Sequence, residues 1–220
     1  MCRIITVALL ATISVIAQAD PPQLLQIVRE PINAGDEAAY EEIESETAAA
    51  CVALECPHPH VALETLAGQK EIWWFNFFES EEQRLQVTRD YESNRPLMEV
   101  LARNGERKSM HTGQVTDVVS RYRPGLGREV GWDLLGARYV IVIFGEAAIE
   151  AGGPIFEEPT GAYFGIRFFK TLEDAKRLAG SEATVLRIRP SWGLPAQEWL
   201  DADRDFWSVN PVASQRERVK

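Results

Sequence analysis

The segment Glu71–Phe78, EIWWFNFF, constrains the fold more than any other part of the chain, because only Glu71 and Asn76 interrupt its apolar residues. Aromatic and branched residues favour strands, and so dense a run is typical of a central strand covered on both faces. Side chains alternate in direction along a strand. We therefore expect one set of aromatic rings to contact helices and the other to contact an opposing sheet.

The elements on either side of this strand predict a ferredoxin-like unit. Apolar runs predict strands at residues 24–30, 61–66, 71–78 and 115–122. One helix follows a turn at 34–36, and a second begins at a capping box at 80–83 and is interrupted at 94–96. The order β-α-β-β-α-β is the split βαβ arrangement, a four-stranded antiparallel sheet with both helices on one face.

The first predicted helix is acidic. Apolar or small residues recur along it at spacings of three and four, which predicts a buried face made of Tyr40, Ile43, Thr47, Ala50 and Leu54. The carboxylates are expected to lie largely on the opposite, solvated side, and they are Glu37, Glu41, Glu42 and Glu44.

The second half of the chain repeats this plan in shortened form. Strands are predicted at residues 138–144, 155–156, 162–169 and 183–188. A helix starts at a capping box at 171–174 and ends at Gly180, while the short segment 146–153 replaces the first helix. We therefore predict an α+β fold of two ferredoxin-like halves, residues 20–124 and 125–190, whose antiparallel sheets pack as a pseudo-dimeric barrel.

On these features the chain resembles the dimeric α+β barrel superfamily, which includes the antibiotic-biosynthesis-monooxygenase-like and NIPSNAP-like domains. The resemblance covers roughly residues 23–122 and rests on the strands 24–30 and 71–78, the turn 34–36 and the segment 80–97. It implies two sheets packed face to face, usually from two subunits, so that the second half here replaces a partner and the protein is a monomer. Superfamily members include cofactor-free oxygenases, haem enzymes, isomerases and proteins without known activity, and no catalytic motif carries over to this chain.

The first residues predict an exported protein. Residues 1–19 combine Arg3, an apolar run and an Ala-x-Ala site before Asp20, which is the pattern of a cleaved signal peptide. We therefore expect a periplasmic or secreted location, with no membrane segment after cleavage, because no apolar run of about 18 residues follows Asp20.

The charge of the chain excludes one class of partner. The formal net charge is −10, and since Arg3 is the only charged residue of the predicted leader, the remainder carries −11. Such an acidic protein repels phosphate backbones and anionic lipid, so we expect no nucleic-acid partner.

The pair Cys51 and Cys56 predicts a disulfide, because two cysteines remain in an exported chain and Pro57 moves Cys56 out of helical conformation. Two free thiols are the alternative. A metal site made with His58 and His60 is a weaker candidate, because the spacing matches no established zinc motif. We expect no cofactor; haem bound through His111 is the alternative that the superfamily resemblance implies.

Four residues are candidate ligand contacts. Asn76 is the polar residue inside the aromatic strand, and together with Trp74 it would contact a ligand if it faced the space between the sheets. Arg187 and Arg189 share one face of the last strand. They would form an anion site if they point inward, and they are ordinary surface charges if they point outward.

The C-terminal segment is unusually aromatic. Residues 191–210 contain Trp192, Trp199 and Trp207, and we expect this segment to pack on the body or cap the barrel, or else to form a protein-binding patch. Residues 211–220 are expected to be disordered.

The sequence contains no phosphate-binding glycine loop, nucleophile elbow or dinucleotide fingerprint, and catalysis is therefore less expected than binding. The leading expectation is an exported protein that binds a small apolar or aromatic ligand between its sheets. A cofactor-independent or haem-dependent monooxygenase-like enzyme and a protein-interaction module are the alternatives.

Overall fold

A computed structural model describes residues 20–127, 131–180 and 182–208. The predicted signal peptide, residues 1–19, and the predicted disordered tail, residues 211–220, lie outside the described residues. Within the described ranges, no helix combines the length and the hydrophobicity needed to cross a membrane.

In the part of the chain that the structure describes, eight strands form one closed antiparallel barrel in the order β1-β3-β2-β8-β5-β7-β6-β4. Each half supplies four neighbouring strands, and the halves meet where β2 pairs with β8 and β4 pairs with β6. The strands are β1 (Leu24–Pro31), β2 (His60–Thr65), β3 (Glu71–Phe78), β4 (Thr116–Tyr122), β5 (Tyr139–Phe144), β6 (Ile155–Glu157), β7 (Tyr163–Phe169) and β8 (Ala183–Ile188). The predicted α+β barrel of two ferredoxin-like halves is confirmed.

Helices cover the outside of the barrel. The helices are α1 (Glu37–Ala53), α2 (Glu81–Ser93), α3 (Arg95–Ser109), α4 (Glu146–Ala151), α5 (Leu172–Leu178), α6 (Gln197–Ala202) and α7 (Arg204–Trp207). The predicted capping box begins α2, where Ser80 Oγ accepts a hydrogen bond from the Gln83 amide at 3.2 Å. Asn94 separates α2 from α3 and caps α3, because its side chain accepts from the Leu97 amide at 3.3 Å.

Aromatic rings fill the inside of the barrel. On β3 the residues Trp73, Phe75 and Phe77 point inward, as the alternation of the strand requires. Seven rings contact one another in a closed circuit, with centroids 5.4–6.5 Å apart, and they are Trp73, Phe75, Phe77, Trp132, Phe156, Phe164 and Phe144. These edge and tilted contacts add to the burial of apolar area that holds the two halves together.

The aromatic C-terminal segment joins the same core. Trp199 lies 5.9 Å from Phe77 and 5.5 Å from Trp207, measured between ring centroids. Both tryptophans are buried. Arg138 holds the segment from the side, because its guanidinium binds Asp203 at 2.6 Å and stacks on the ring of Phe206.

The predicted disulfide is present at the C-terminal end of α1. Cys51 and Cys56 are bonded, with their Cα atoms 4.7 Å apart. The chain leaves the helix at Leu54, and Glu55 adopts a positive φ of 56°. This turn brings Cys56 back to the helix end, which a continuous helix would not allow.

Candidate functional site

The candidate site is built around Glu30 on the outer face of the barrel. Residues of β1 alternate, so that Leu25 and Ile27 enter the core while Glu30 points outward beneath the helices. Glu30 is nevertheless buried. A buried carboxylate requires compensating partners, because removing a charge from water without them is costly.

Lys108, in the last turn of α3, supplies the opposite charge. Its Nζ lies 2.9 Å and 3.0 Å from the two carboxylate oxygens of Glu30. The same ammonium lies 2.5 Å from Oε1 of Glu44 on α1. One cation therefore bridges carboxylates from a strand and from a helix.

Tyr40 completes this cluster from α1. Its hydroxyl donates to Glu30 Oε2, and Trp74 Nε1 donates to the same oxygen at 3.1 Å. The ammonium of Lys108 also lies over both rings, 5.7 Å from the centroid of Tyr40 and 5.6 Å from that of Trp74. Such cation–π contacts are strongest where water is excluded. We call Glu30, Tyr40, Glu44, Trp74 and Lys108 the ion cluster.

Burial and charge move the protonation equilibria of the ion cluster. Burial raises the pKa of Glu44, and the ammonium of Lys108 only partly opposes this. Burial also raises the pKa of Tyr40 well above its usual range, and the charges of Glu44 and Glu30 add to the effect. Burial alone would lower the pKa of Lys108, but the two carboxylates raise it. The lysine therefore stays charged, and the tyrosine keeps its proton.

A cleft of about 300 Å³ opens beside the ion cluster, between α1, α3 and the start of β4. Glu30 and Lys108 form its charged wall. The remaining lining residues are Thr47, Leu101, Asn104, Gly105, Ser109, Thr112 and Val115. We call this space the α3 cleft. Its volume is at the lower end of the range for small-molecule sites.

A second cleft, of about 410 Å³, lies over the seam between β4 and β6. Its charged residues include Arg123 and Glu157, which pair with each other at 3.2 Å, and Glu81, which pairs with Arg84. These ion pairs are largely exposed and contribute little. Of these two clefts, the α3 cleft is the stronger candidate because its wall contains a buried charge cluster.

The structure corrects the expected position of Trp74 and Asn76. Both lie on the outer face of β3, where Val28 pairs with Trp74 and Gln26 with Asn76. Neither side chain faces the space between the sheets, because Trp73, Phe75 and Phe77 take the inward positions. Trp74 belongs to the ion cluster, whereas Asn76 does not line the α3 cleft.

Arg187 and Arg189 also point outward and make no inward anion site. Arg187 Nη2 lies 2.5 Å and Arg189 Nη1 lies 3.0 Å from Oε2 of Glu64. Glu64 and Arg187 stand directly opposite each other where β2 pairs with β8. The two arginines therefore join the halves of the barrel rather than a ligand.

The two histidines near the disulfide pack on aromatic rings and do not form a metal site with the cysteines. The ring of His58 stacks on Phe78 at 4.6 Å, and His60 meets Trp74 edge-on at 5.7 Å. Burial lowers the pKa of His60 to about 4. Both sulfurs are used in the disulfide, and the described residues contain no group of three or more His, Cys, Asp or Glu side chains arranged to hold a metal.

The described residues that line the α3 cleft do not fit haem. His111 Nδ1 lies 3.3 Å from Asp36 Oδ1, beyond the end of α3, and His111 does not line the α3 cleft. Among the described lining residues of the cleft there is no histidine, cysteine, methionine or tyrosine to ligate an iron. We therefore derive no haem chemistry for this chain.

Sequence reasoning missed most of the ion cluster. Glu44 was expected on the solvated side of α1 but is 1% exposed, because it follows Tyr40 by one helical turn and faces Lys108. The spacing of Tyr40 and Glu44 was a usable signal, since residues four apart share a helix face. Glu30 and Lys108 carry no local signal, because only the packing of α3 on the sheet brings them together.

No protein-family model and no curated protein sequence matches the chain. Among solved structures, a proposed monooxygenase from Fusobacterium nucleatum aligns over 76% of this chain and 93% of its own, with 6% identity and a TM-score of 0.46. A chlorite dismutase from Candidatus Nitrospira defluvii aligns over 82% and 94%, with 11% identity and a TM-score of 0.40. An anthrone oxidase-like protein aligns over 90% and 86%, with 11% identity and a TM-score of 0.41. The resemblance lies at the level of the α+β barrel fold and concerns no activity.

Proposed function

We propose that this chain is an exported small-molecule-binding protein whose ligand occupies the α3 cleft. The observation that carries the proposal is the Lys108 ammonium, which lies between the buried carboxylates of Glu30 and Glu44 at the wall of a concave surface. Buried ion clusters add little stability compared with apolar residues of similar volume. A cluster of shifted pKa values that borders a cleft therefore favours a binding role.

This site differs from the one expected between the two sheets. The rings of the barrel interior contact one another, whereas the α3 cleft combines polar groups with the apolar side chains of Leu101 and Val115. That mixture is typical of small-molecule sites, where a few polar groups fix orientation and apolar walls supply contact. Export is part of the proposal, and the disulfide at α1 supports it, because such bonds persist in oxidising compartments.

An interaction role for the aromatic C-terminal segment has less support. Trp199 and Trp207 are 7% and 2% exposed, so neither ring offers an accessible anchor for a partner. The cofactor-independent enzyme stays the second candidate, because Glu30 is a carboxylate at the cleft wall and accepts a hydrogen bond from the hydroxyl of Tyr40.

Native mass spectrometry of the protein purified from the exported fraction tests this proposal. We expect a monomer that retains a small molecule and that loses it in a Gly105→Phe variant. A Cβ atom added at Gly105 would meet nothing within 4 Å, and Gly105 lines the cleft. Ala102→Phe, at an exposed position of the same helix, is the matched control. Retention of the molecule by Gly105→Phe would contradict the site, and a dimer would contradict the pseudo-dimer.

A further inference from the structure

The hydroxyl groups around the α3 cleft can only accept hydrogen bonds from a ligand. Thr47 Oγ1 donates its hydrogen to the Ile43 carbonyl at 2.9 Å. Ser109 Oγ donates to the Glu106 carbonyl at 2.7 Å, and Thr112 Oγ1 donates to the Lys108 carbonyl at 3.2 Å. A hydroxyl has one hydrogen, so each of these three oxygens presents only lone pairs to the cleft.

The side-chain amide of Asn104 also offers an acceptor, because its Nδ2 donor is already used. Its Nδ2 donates to Thr47 Oγ1 at 3.0 Å, and Arg107 Nη1 lies 3.4 Å from its Oδ1. Both contacts fix the same orientation of the amide, because the reverse orientation would place Nδ2 against a guanidinium. Asn104 is 1% exposed, so the second lone pair of Oδ1, which the contact with Arg107 leaves unused, is held in a nearly dry position.

The hydrogens of the Lys108 ammonium, a donor at the cleft wall, already face carboxylates. The ammonium of Lys108 has three hydrogens and faces three carboxylate oxygens, two on Glu30 and one on Glu44. Glu30 also lines the cleft and adds the oxygens of a carboxylate to its acceptors. An anionic ligand would meet lone pairs and negative charge, whereas a ligand that carries donors and positive charge would meet partners.

We propose that the α3 cleft binds a small organic cation that carries N–H donors, of the primary alkylammonium class. This inference rests on the proposed function and names its ligand class. The ammonium group would lie against the acceptor oxygens of Glu30, Thr47 and Ser109. A short alkyl chain would pack on Leu101 and Val115, and the volume of about 300 Å³ limits the ligand to a small molecule.

The test is an amide-resolved NMR titration of the full exported chain with three probes of equal carbon length: n-butylammonium, 1-butanol and butyrate. We expect n-butylammonium to shift the amide signals of Gly105, Ser109 and Thr112, with an affinity at least about tenfold above that of 1-butanol. Butyrate is expected to leave these signals unchanged. Shifts by butyrate or 1-butanol that equal those by n-butylammonium would overturn the cation assignment and leave the proposed function standing.

Two variants make the result specific. Glu30→Gln removes the charged acceptor and is expected to weaken n-butylammonium at least about fivefold, while Glu99→Gln, on the exposed side of α3, is the matched control. Ser109→Ala removes one acceptor at an exposed position, and it is expected to weaken binding about threefold. Unchanged affinity in Ser109→Ala and Glu30→Gln overturns the inference. If no probe shifts any cleft amide, both the inference and the proposed function fail.

Discussion

Lys108 on α3 and Glu30 on β1 are 78 residues apart in the chain, yet the Lys108 ammonium lies 2.9 Å and 3.0 Å from the two oxygens of the Glu30 carboxylate. This ion pair joins the helix layer to the outer face of the barrel. Because Glu44 and Tyr40 bind the same two groups, α1 is held by the pair as well. We therefore expect the charge of Lys108 to contribute to stability as well as to the proposed site.

Replacing Lys108 with methionine should strongly destabilise the protein. Lys108→Met keeps much of the side-chain volume but leaves Glu30 and Glu44 buried without a cation. We expect a loss of about 3–5 kcal/mol in the free energy of unfolding, measured by urea denaturation at pH 7. Lys176→Met, at an exposed position on α5, should change it by less than about 0.5 kcal/mol. Equal effects of the two variants would contradict the ion cluster.

The disulfide should stabilise the end of α1. Closing the short loop between Cys51 and Cys56 limits the unfolded chain, and we expect its removal in Cys51→Ser/Cys56→Ser to cost about 2 kcal/mol. Scanning calorimetry measures the shift in Tm. Reductant should lower the Tm of the natural protein to that of the double variant and leave the variant unchanged. A natural protein that does not respond to reductant at all would show that the bond is not formed.

The C-terminal tryptophan of the core should be essential to stability. Trp207 is 2% exposed and packs on Trp199 and Phe206, so Trp207→Ala leaves a large cavity. We expect a loss of about 3–5 kcal/mol in the free energy of unfolding. Met110→Ala, at a residue that is 67% exposed, should be nearly neutral. A neutral Trp207→Ala would show that the C-terminal segment is not part of the core.

Glu64 should make the free energy of unfolding decrease as the pH falls below the ordinary pKa of a glutamate. Burial would raise its pKa, but hydrogen bonds from Arg187, Lys70 and Arg189 outweigh burial and lower it to about 2. A depressed pKa in the folded state contributes stability above the ordinary value of 4.5, and this contribution is lost as the pH falls from 4.5 to about 2.

The matched variant for this effect is Glu64→Gln. We expect it to lower the free energy of unfolding by about 2 kcal/mol at pH 7, less than the full pKa shift implies, because Arg187 is half exposed and its charge is screened. The difference between the two proteins should shrink as the pH falls through this window. A difference that is constant between pH 7 and pH 2 would contradict the assigned pKa.

The barrel was predictable because its signals are local and repeated. The apolar run of β3 and the order of elements in both halves predicted a covered sheet of ferredoxin-like units, and the capping residue Ser80 predicted the start of α2. The alternation along β3 predicted two sets of side chains. It left open which set faces inward, because a period of two does not identify the buried face when both faces are covered.

The candidate site was not predictable from the sequence, because it depends on contacts between residues that are far apart in the chain. Asn76 and Trp74 alternate with Trp73 and Phe75, and only the closed barrel shows that the first pair faces outward. Glu30 ends a strand and Lys108 ends a helix, so each reads as an ordinary surface charge in the sequence. Their burial follows from how α3 lies across the sheet, which depends on long-range packing rather than on local pattern.

The most direct test of the central claim is a crystal structure of the protein with n-butylammonium at saturating concentration. We expect ordered density for the ligand in the α3 cleft, with its nitrogen within hydrogen-bond distance of Glu30 and its alkyl chain against Leu101. Density between the sheets, among Trp73, Phe144 and Phe156, or an empty cleft at saturation, would contradict the account.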